Sequence, residues 1–256
     1  MSWCDRLASV PGAGFRLDHH FASSDAILEA LAPVLDPLFR GDKPRFNVAS
    51  QSSFEVQINT EQGFIYAVDP TKLSVTFKHQ MRAQPTSGGP PVMELLSTPM
   101  PYTQLLREVT HRLASTAPLL PKSKERQITR VGVISTTSLA EQDLPPGIAR
   151  FVEYISRPWS GTVNHFSISI TADLSSGPGY SDRCIHTVNK FEDKEQLMTL
   201  NFDWQRTFTS SYPINKSSIS EILGRAEKSA LDYFEDIGEG SRFDEDIIRK
   251  AATARA

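Results

Sequence analysis

Asp18-His19-His20 is the densest run of ligand-type side chains in the sequence. A metal site needs three or four such groups converging on one point. Neighbouring residues on a strand face opposite sides, so only one of the two histidines can serve a given site. The other histidines, His79, His111, His165 and His186, show no ligand spacing, and Cys4 and Cys184 belong to no Cys-x-x-Cys pair. Neither a metal nor a cofactor is therefore expected. Gly12-Ala13-Gly14 and Gly88-Gly89 lack the strand–loop–helix context and the lysine of a phosphate loop. No serine sits in a Gly-x-Ser-x-Gly elbow. No set of residues reads as catalytic.

The remaining chemistry is one polar row centred on Asp203, with Arg183, Thr187, Asn189 and Asn201 around it. A carboxylate there can bind a ligand. General acid–base work needs a tuned partner, and Arg183 is the nearest candidate, with an ordinary ion pair as the plainer reading. These five residues form a candidate binding face.

Their placement follows from a strand register over residues 163–206. Phe166, Ile168 and Ile170 set opposite Lys190, Val188 and His186 place the latter opposite Met198, Leu200 and Phe202, with Cys184 opposite Trp204. One face is then apolar, with His186 as a core histidine. The other collects Ser167, Ser169, Thr171, Asp173, Thr199 and Gln205 beside the five candidates, with Ile185 as its exception. A slip by one residue would bury the polar row, so the register is strongly specified.

Elsewhere the pattern predicts a strand within Phe15–Phe21 and a helix capped by Ser23 or Ser24. That helix carries Ile27, Leu28, Leu31, Val34, Leu35 and Leu38, and Pro33 and Pro37 should kink or split it. A meander follows through Phe54–Ile58, Phe64–Val68 and Leu73–Phe77, then a loop over 82–92 and a helix from Tyr102 to Leu113. The second half offers a strand at Ile128–Thr136, a helix at Pro145–Ile155, the meander above and a helix from Ser218 to about Asp236. Ser218 and Glu221 read as its capping box and Gly238 as its stop.

Both halves thus read strand–helix–three strands–helix. The fold class is α+β, two units with helices on one sheet face, either separate or joined in one pseudo-twofold sheet, and the matching order suggests a duplication. The expected division is 1–118, 127–240 and a charged tail or short helix over 241–256, with a hinge at Leu119–Arg126.

The formal net charge is −3, from 27 basic against 30 acidic residues. That leaves no general surplus for neutralising phosphates, so specific binding of duplex DNA is not expected. No signal-type N-terminus or long apolar run is visible, which predicts a cytoplasmic protein with no membrane partner.

Four stretches resemble a sporadically distributed bacterial family of similar length with no established activity. They are Phe54–Phe77, Pro101-Tyr102 opening a helix, Arg130-Val131-Gly132-Val133, and Leu200-Asn201-Phe202-Asp203. Ile134 and Thr137 stand where the family typically has Arg and Asn. The resemblance implies a two-unit α+β fold, no catalytic residues to transfer, and a setting near mobile-element or phage-defence genes. The functional expectation is a non-enzymatic binding or assembly protein with a protein partner, or itself as a homo-oligomer. Its rival is an enzyme or small-ligand sensor with a site on the polar face.

Overall fold

The computed structural model describes residues 3–6, 10–20, 22–39, 46–86, 89–95, 99–190 and 197–240. The strands are β1 (Val10–Leu17), β2 (Phe46–Gln51), β3 (Val56–Thr60), β4 (Phe64–Asp69), β5 (Lys72–Phe77), β6 (Met81–Thr86), β7 (Gly89–Leu95), β8 (Gln127–Ala140), β9 (Phe166–Gly177), β10 (Tyr180–Lys190) and β11 (Leu197–Pro213). The helices are α1 (Trp3–Arg6), α2 (Ser24–Phe39), α3 (Tyr102–Thr116), α4 (Pro146–Ser156) and α5 (Lys216–Glu239). The fold is α+β. One antiparallel sheet of nine strands runs in the order β2-β3-β4-β5-β1-β8-β11-β10-β9.

The halves meet where β1 pairs with β8. In each half the three meander strands lie in chain order, and the half's first strand sits beside the last of them. The first half adds the edge strand β2 and the separate β6–β7 hairpin. Shared strand order is a requirement of the duplication reading, not a demonstration of it.

The register of the second meander matches the alternation pattern pair for pair. Val188 lies opposite both Ile168 and Leu200, His186 opposite Ile170 and Phe202, and Cys184 opposite Trp204. α3 and α5 pack together across one sheet face, α3 over β1 and β5 and α5 over β8 and β11. Between sheet and helices lies one continuous core, from Phe15, Tyr66 and Val75 to Phe202, Trp204 and Phe234. His186 is half-buried beside this core, its ring stacked on the buried Tyr233 at a centroid distance of 4.4 Å.

Several expectations need correction. The supposed hinge is pinned: Arg126 is buried, and its guanidinium donates to the carbonyls of Pro70 at 2.8 Å and Asp18 at 3.4 Å. Together with the β1–β8 ladder this joins the strands of residues 1–118 and 127–240 in one sheet, the joined form of the two-unit reading. The tail at 241–256 lies outside the described residues. The first strand begins at Val10 and ends at Leu17, earlier than the apolar pattern placed it. Phe54 is exposed and precedes β3 instead of opening it.

The stretch 82–92 is not a plain loop, because the β6–β7 hairpin takes up most of it. α2 runs through Pro33 and Pro37 as one helix, with Ser23 Oγ accepting the Ala26 N–H at its start. α5 is capped by Asn215, whose side chain accepts the Ser217 N–H at 3.0 Å, while Glu221 pairs with Arg225 instead of closing a box. The helix ends at Gly240, in the left-handed region at φ 80°. Gly238 is a packing glycine: a Cβ there would lie 1.9 Å from Cγ of Trp3.

Candidate functional site

The helices leave the opposite sheet face open. Side chains alternate along each strand, so this face carries Lys72, Ser74 and Thr76 from β5, and Gly12, Gly14 and Arg16 from β1. Beside them stand Arg130, Gly132 and Ile134 from β8, and Asp203 and Gln205 from β11. These residues line a groove of about 610 Å³ across the seam between the halves, with Asp69 and Thr71 at one end.

Glycines make the groove. A Cβ on Gly12 would meet Thr76 Cγ2 at 2.9 Å, and one on Gly14 would meet the Leu73 carbonyl oxygen at 3.2 Å. Close packing of β1 on β5 therefore favours glycine at both positions. Gly132 differs: its added Cβ would touch only the Trp204 carbonyl, at an ordinary 3.6 Å. The space above Gly132 is open groove.

The groove is strongly polar. Gln205 Nε2 donates to Asp203 Oδ2 at 2.7 Å, and Arg130 donates to Gln205 Oε1 at 3.3 Å, a chain from guanidinium through amide to carboxylate. Burial raises the Asp203 carboxyl above the usual range, against opposing contributions from the Gln205 hydrogen bond and the Arg130 charge. At the other end Asp69 accepts from the Thr71 N–H at 2.7 Å and from its hydroxyl at 3.0 Å, which fixes the β4–β5 turn.

A raised carboxyl pKa has a definite consequence for stability. The folded state holds the Asp203 proton more tightly than the unfolded chain. The resulting stabilisation is complete below the unfolded pKa and is lost as pH rises through the folded value. Asp203→Asn is expected to be more thermostable than the wild type at neutral pH. That advantage should shrink in acid, as read by thermal melts across pH; an equal or lower midpoint at neutral pH would contradict the sign.

Of the five candidate residues only Asp203 lies in the groove. Arg183 pairs with Asp173 at 3.0 Å on the exposed sheet surface, not with Asp203. Thr187 donates to Ser169 Oγ at 3.2 Å, and Asn189 accepts from Ser167 at 2.7 Å. Asn201 accepts from the Thr136 hydroxyl. These four share the face without converging on Asp203. The groove residues Arg16, Lys72, Arg130 and the three glycines were not singled out as a site. Gly12-x-Gly14-x-Arg16 and Arg130-x-Gly132 each put their residues on one strand face, the signal that could have found them.

Asp18 acts structurally, its carboxylate accepting the Gln127 N–H at 2.7 Å. Among the described residues no three histidine, cysteine or acidic side chains converge as a metal site would require. Cys4 and Cys184 are buried and unbridged. Burial first, then the Glu235 carboxylate, pushes the Cys4 thiol up to about 12, far from a reactive thiolate. No helix among the described residues is long and apolar enough to cross a membrane.

No family model, curated protein or solved structure matches this chain, so the resemblance to a sporadically distributed bacterial family rests on its four short motifs.

Proposed function

We propose that this protein acts by binding rather than by catalysis, and that its open sheet face holds a segment of a partner protein with the seam groove as the anchoring point. The observation that carries this reading is the groove itself, a depression floored by glycines between rows of charged and hydroxyl side chains. The half-buried backbone at Gly132, with no side chain above it, lets a partner side chain approach closely, and the flanking Ser, Thr and Asn rows offer hydrogen-bonding partners along the sheet. The groove hydroxyl that meets a carboxylate, Thr71 on Asp69, is held with its own N–H in the β4–β5 turn, a structural role that leaves binding as the favoured reading. Function resides in such sites, not in the fold. A process tied to mobile elements or phage defence belongs to the same proposal and rests on the family resemblance alone.

The second reading, a small-ligand sensor, is favoured by the groove volume, which falls in the range of small-molecule sites, and by the perturbed Asp203 carboxyl.

Gly132→Leu separates groove binding from any other surface. The new side chain projects into open groove, so the variant should fold with stability within about 1 kcal/mol of wild type. A partner recovered by the wild-type protein from a lysate of its source should be lost by the variant. Equal recovery by both would remove the groove from the interface. A small metabolite retained by the wild-type protein in native mass spectrometry and lost by Gly132→Leu would favour the sensor reading.

A further inference from the structure

Arg16 stands directly opposite Lys72 on one side and directly opposite Arg130 on the other. The three cations therefore form an unbroken row across β5, β1 and β8, on one face and in one groove. Directly opposed like charges destabilise a sheet. Among the described residues neither Arg16 nor Lys72 makes an ion pair, and Arg130 reaches only the neutral amide of Gln205. Asp69, the cross-strand neighbour of Lys72, accepts two hydrogen bonds from Thr71 on Oδ1 and makes no ion pair with that lysine. The fold places three like charges together and supplies no counter-charge in contact with Arg16 or Lys72.

We propose that the Lys72–Arg16–Arg130 row is an oxyanion subsite that takes the carboxylates of an acidic segment on the partner protein. This rests on the reading of the groove as a protein-binding site. Strands lie about 4.8 Å apart, so the row spans roughly 10 Å. A single phosphate group bridges only neighbouring members of such a row. Two carboxylates on alternate residues of an extended chain, about 7 Å apart, span it. Guanidinium groups take carboxylates in a two-pronged arrangement, and the lysine adds a point charge.

The test uses the whole protein with Arg16→Gln and Lys72→Gln, probed by a rhodamine-labelled oligoglutamate peptide, inorganic phosphate and a single-stranded oligonucleotide. Oligoglutamate should bind the wild type and lose affinity on the order of tenfold in Arg16→Gln, as expected for losing charge-assisted hydrogen bonds. Lys72→Gln, at an exposed position, should weaken binding in the same direction. Without ligand and at low salt, Arg16→Gln should melt above the wild type, because it interrupts the repelling row, and added salt should narrow the gap. A merely structural arginine would give the opposite shift, and a lower midpoint for Arg16→Gln overturns the premise of the row.

Binding of phosphate without oligoglutamate overturns the acidic segment and assigns the row to a small phosphorylated molecule. Preference for the oligonucleotide overturns the protein partner in favour of nucleic acid. No binding of any probe, or binding undiminished in both variants, overturns the subsite itself. The wider binding proposal then stands or falls separately on Gly132→Leu.

Discussion

Asp182→Ala is expected to destabilise the protein by about 3–5 kcal/mol, the usual result of stranding one partner of a buried ion pair. Asp182 and Arg206 meet across β10 and β11 through two hydrogen bonds of 2.6 Å, with side chains only 8% and 6% exposed. Ser175 donates to the same carboxylate at 3.0 Å. The guanidinium lies 4.0 Å from the Tyr180 ring centroid and 5.7 Å from that of Trp204. Removing Asp182 leaves that cation enclosed by rings and without its counter-charge. At about 2–4 °C per kcal/mol for a chain of this size, the midpoint should fall by roughly 10 °C. Asp182→Ala with Arg206→Met together should recover part of the loss, because paired apolar replacement of a buried ion pair is often tolerated. A single variant melting within a degree or two of wild type would show that solvent reaches the pair.

The second large effect belongs to Val188→Asp. Val188 is 4% exposed and lies between Ile168 and Leu200 on the face that carries the core. A carboxylate there has no partner, and its burial should cost about 4 kcal/mol or more, enough to lower the denaturant midpoint sharply. The neighbouring substitution is the control. Thr187 faces the open side, where its hydroxyl meets Ser169, so Thr187→Asp should cost about 1 kcal/mol or less. An unchanged midpoint for Val188→Asp, or equal losses for the two variants, would contradict the register.

Predicting such a pair from sequence is possible because alternation is a local property. In the stretch from Phe166 to Gln205, apolar residues recur with a period of two, and this pairing keeps most of them on one face, with Ile185 as the exception. The inner stripe of α5 was legible for the same kind of reason. Ile219, Ile222, Leu223, Ala226, Ala230 and Phe234 repeat at helical spacing, and all are buried. Burial itself was less legible at the sheet edge. Ile170 belongs to the apolar row yet is 50% exposed, because α5 packs over β8 and β11 and does not extend across β9. Helix ends also escaped. Asn215 and Gly240, not Ser218 and Gly238, bound α5: Gly240 takes the left-handed φ, while Gly238 gives room to Trp3 from the far N-terminus, a contact no local pattern carries.

The α+β class, the polar and apolar faces of the second meander, and the place of Asp203 on the polar one follow from periodicities within a few dozen residues. The groove does not, because it depends on which strands become neighbours in the folded sheet. Arg16 and Arg130 are far apart in the chain and meet only through the β1–β8 ladder, and Lys72 joins them only because β5 packs on the other edge of β1. Strand order is fixed by how the helices and both meanders bury one common core, a property of the whole chain that no local pattern carries. The charge total hid the row for the same reason. A net charge of −3 averages over the surface, whereas three cations brought onto adjacent strands form a local row, with Asp69 and Asp203 in the same groove.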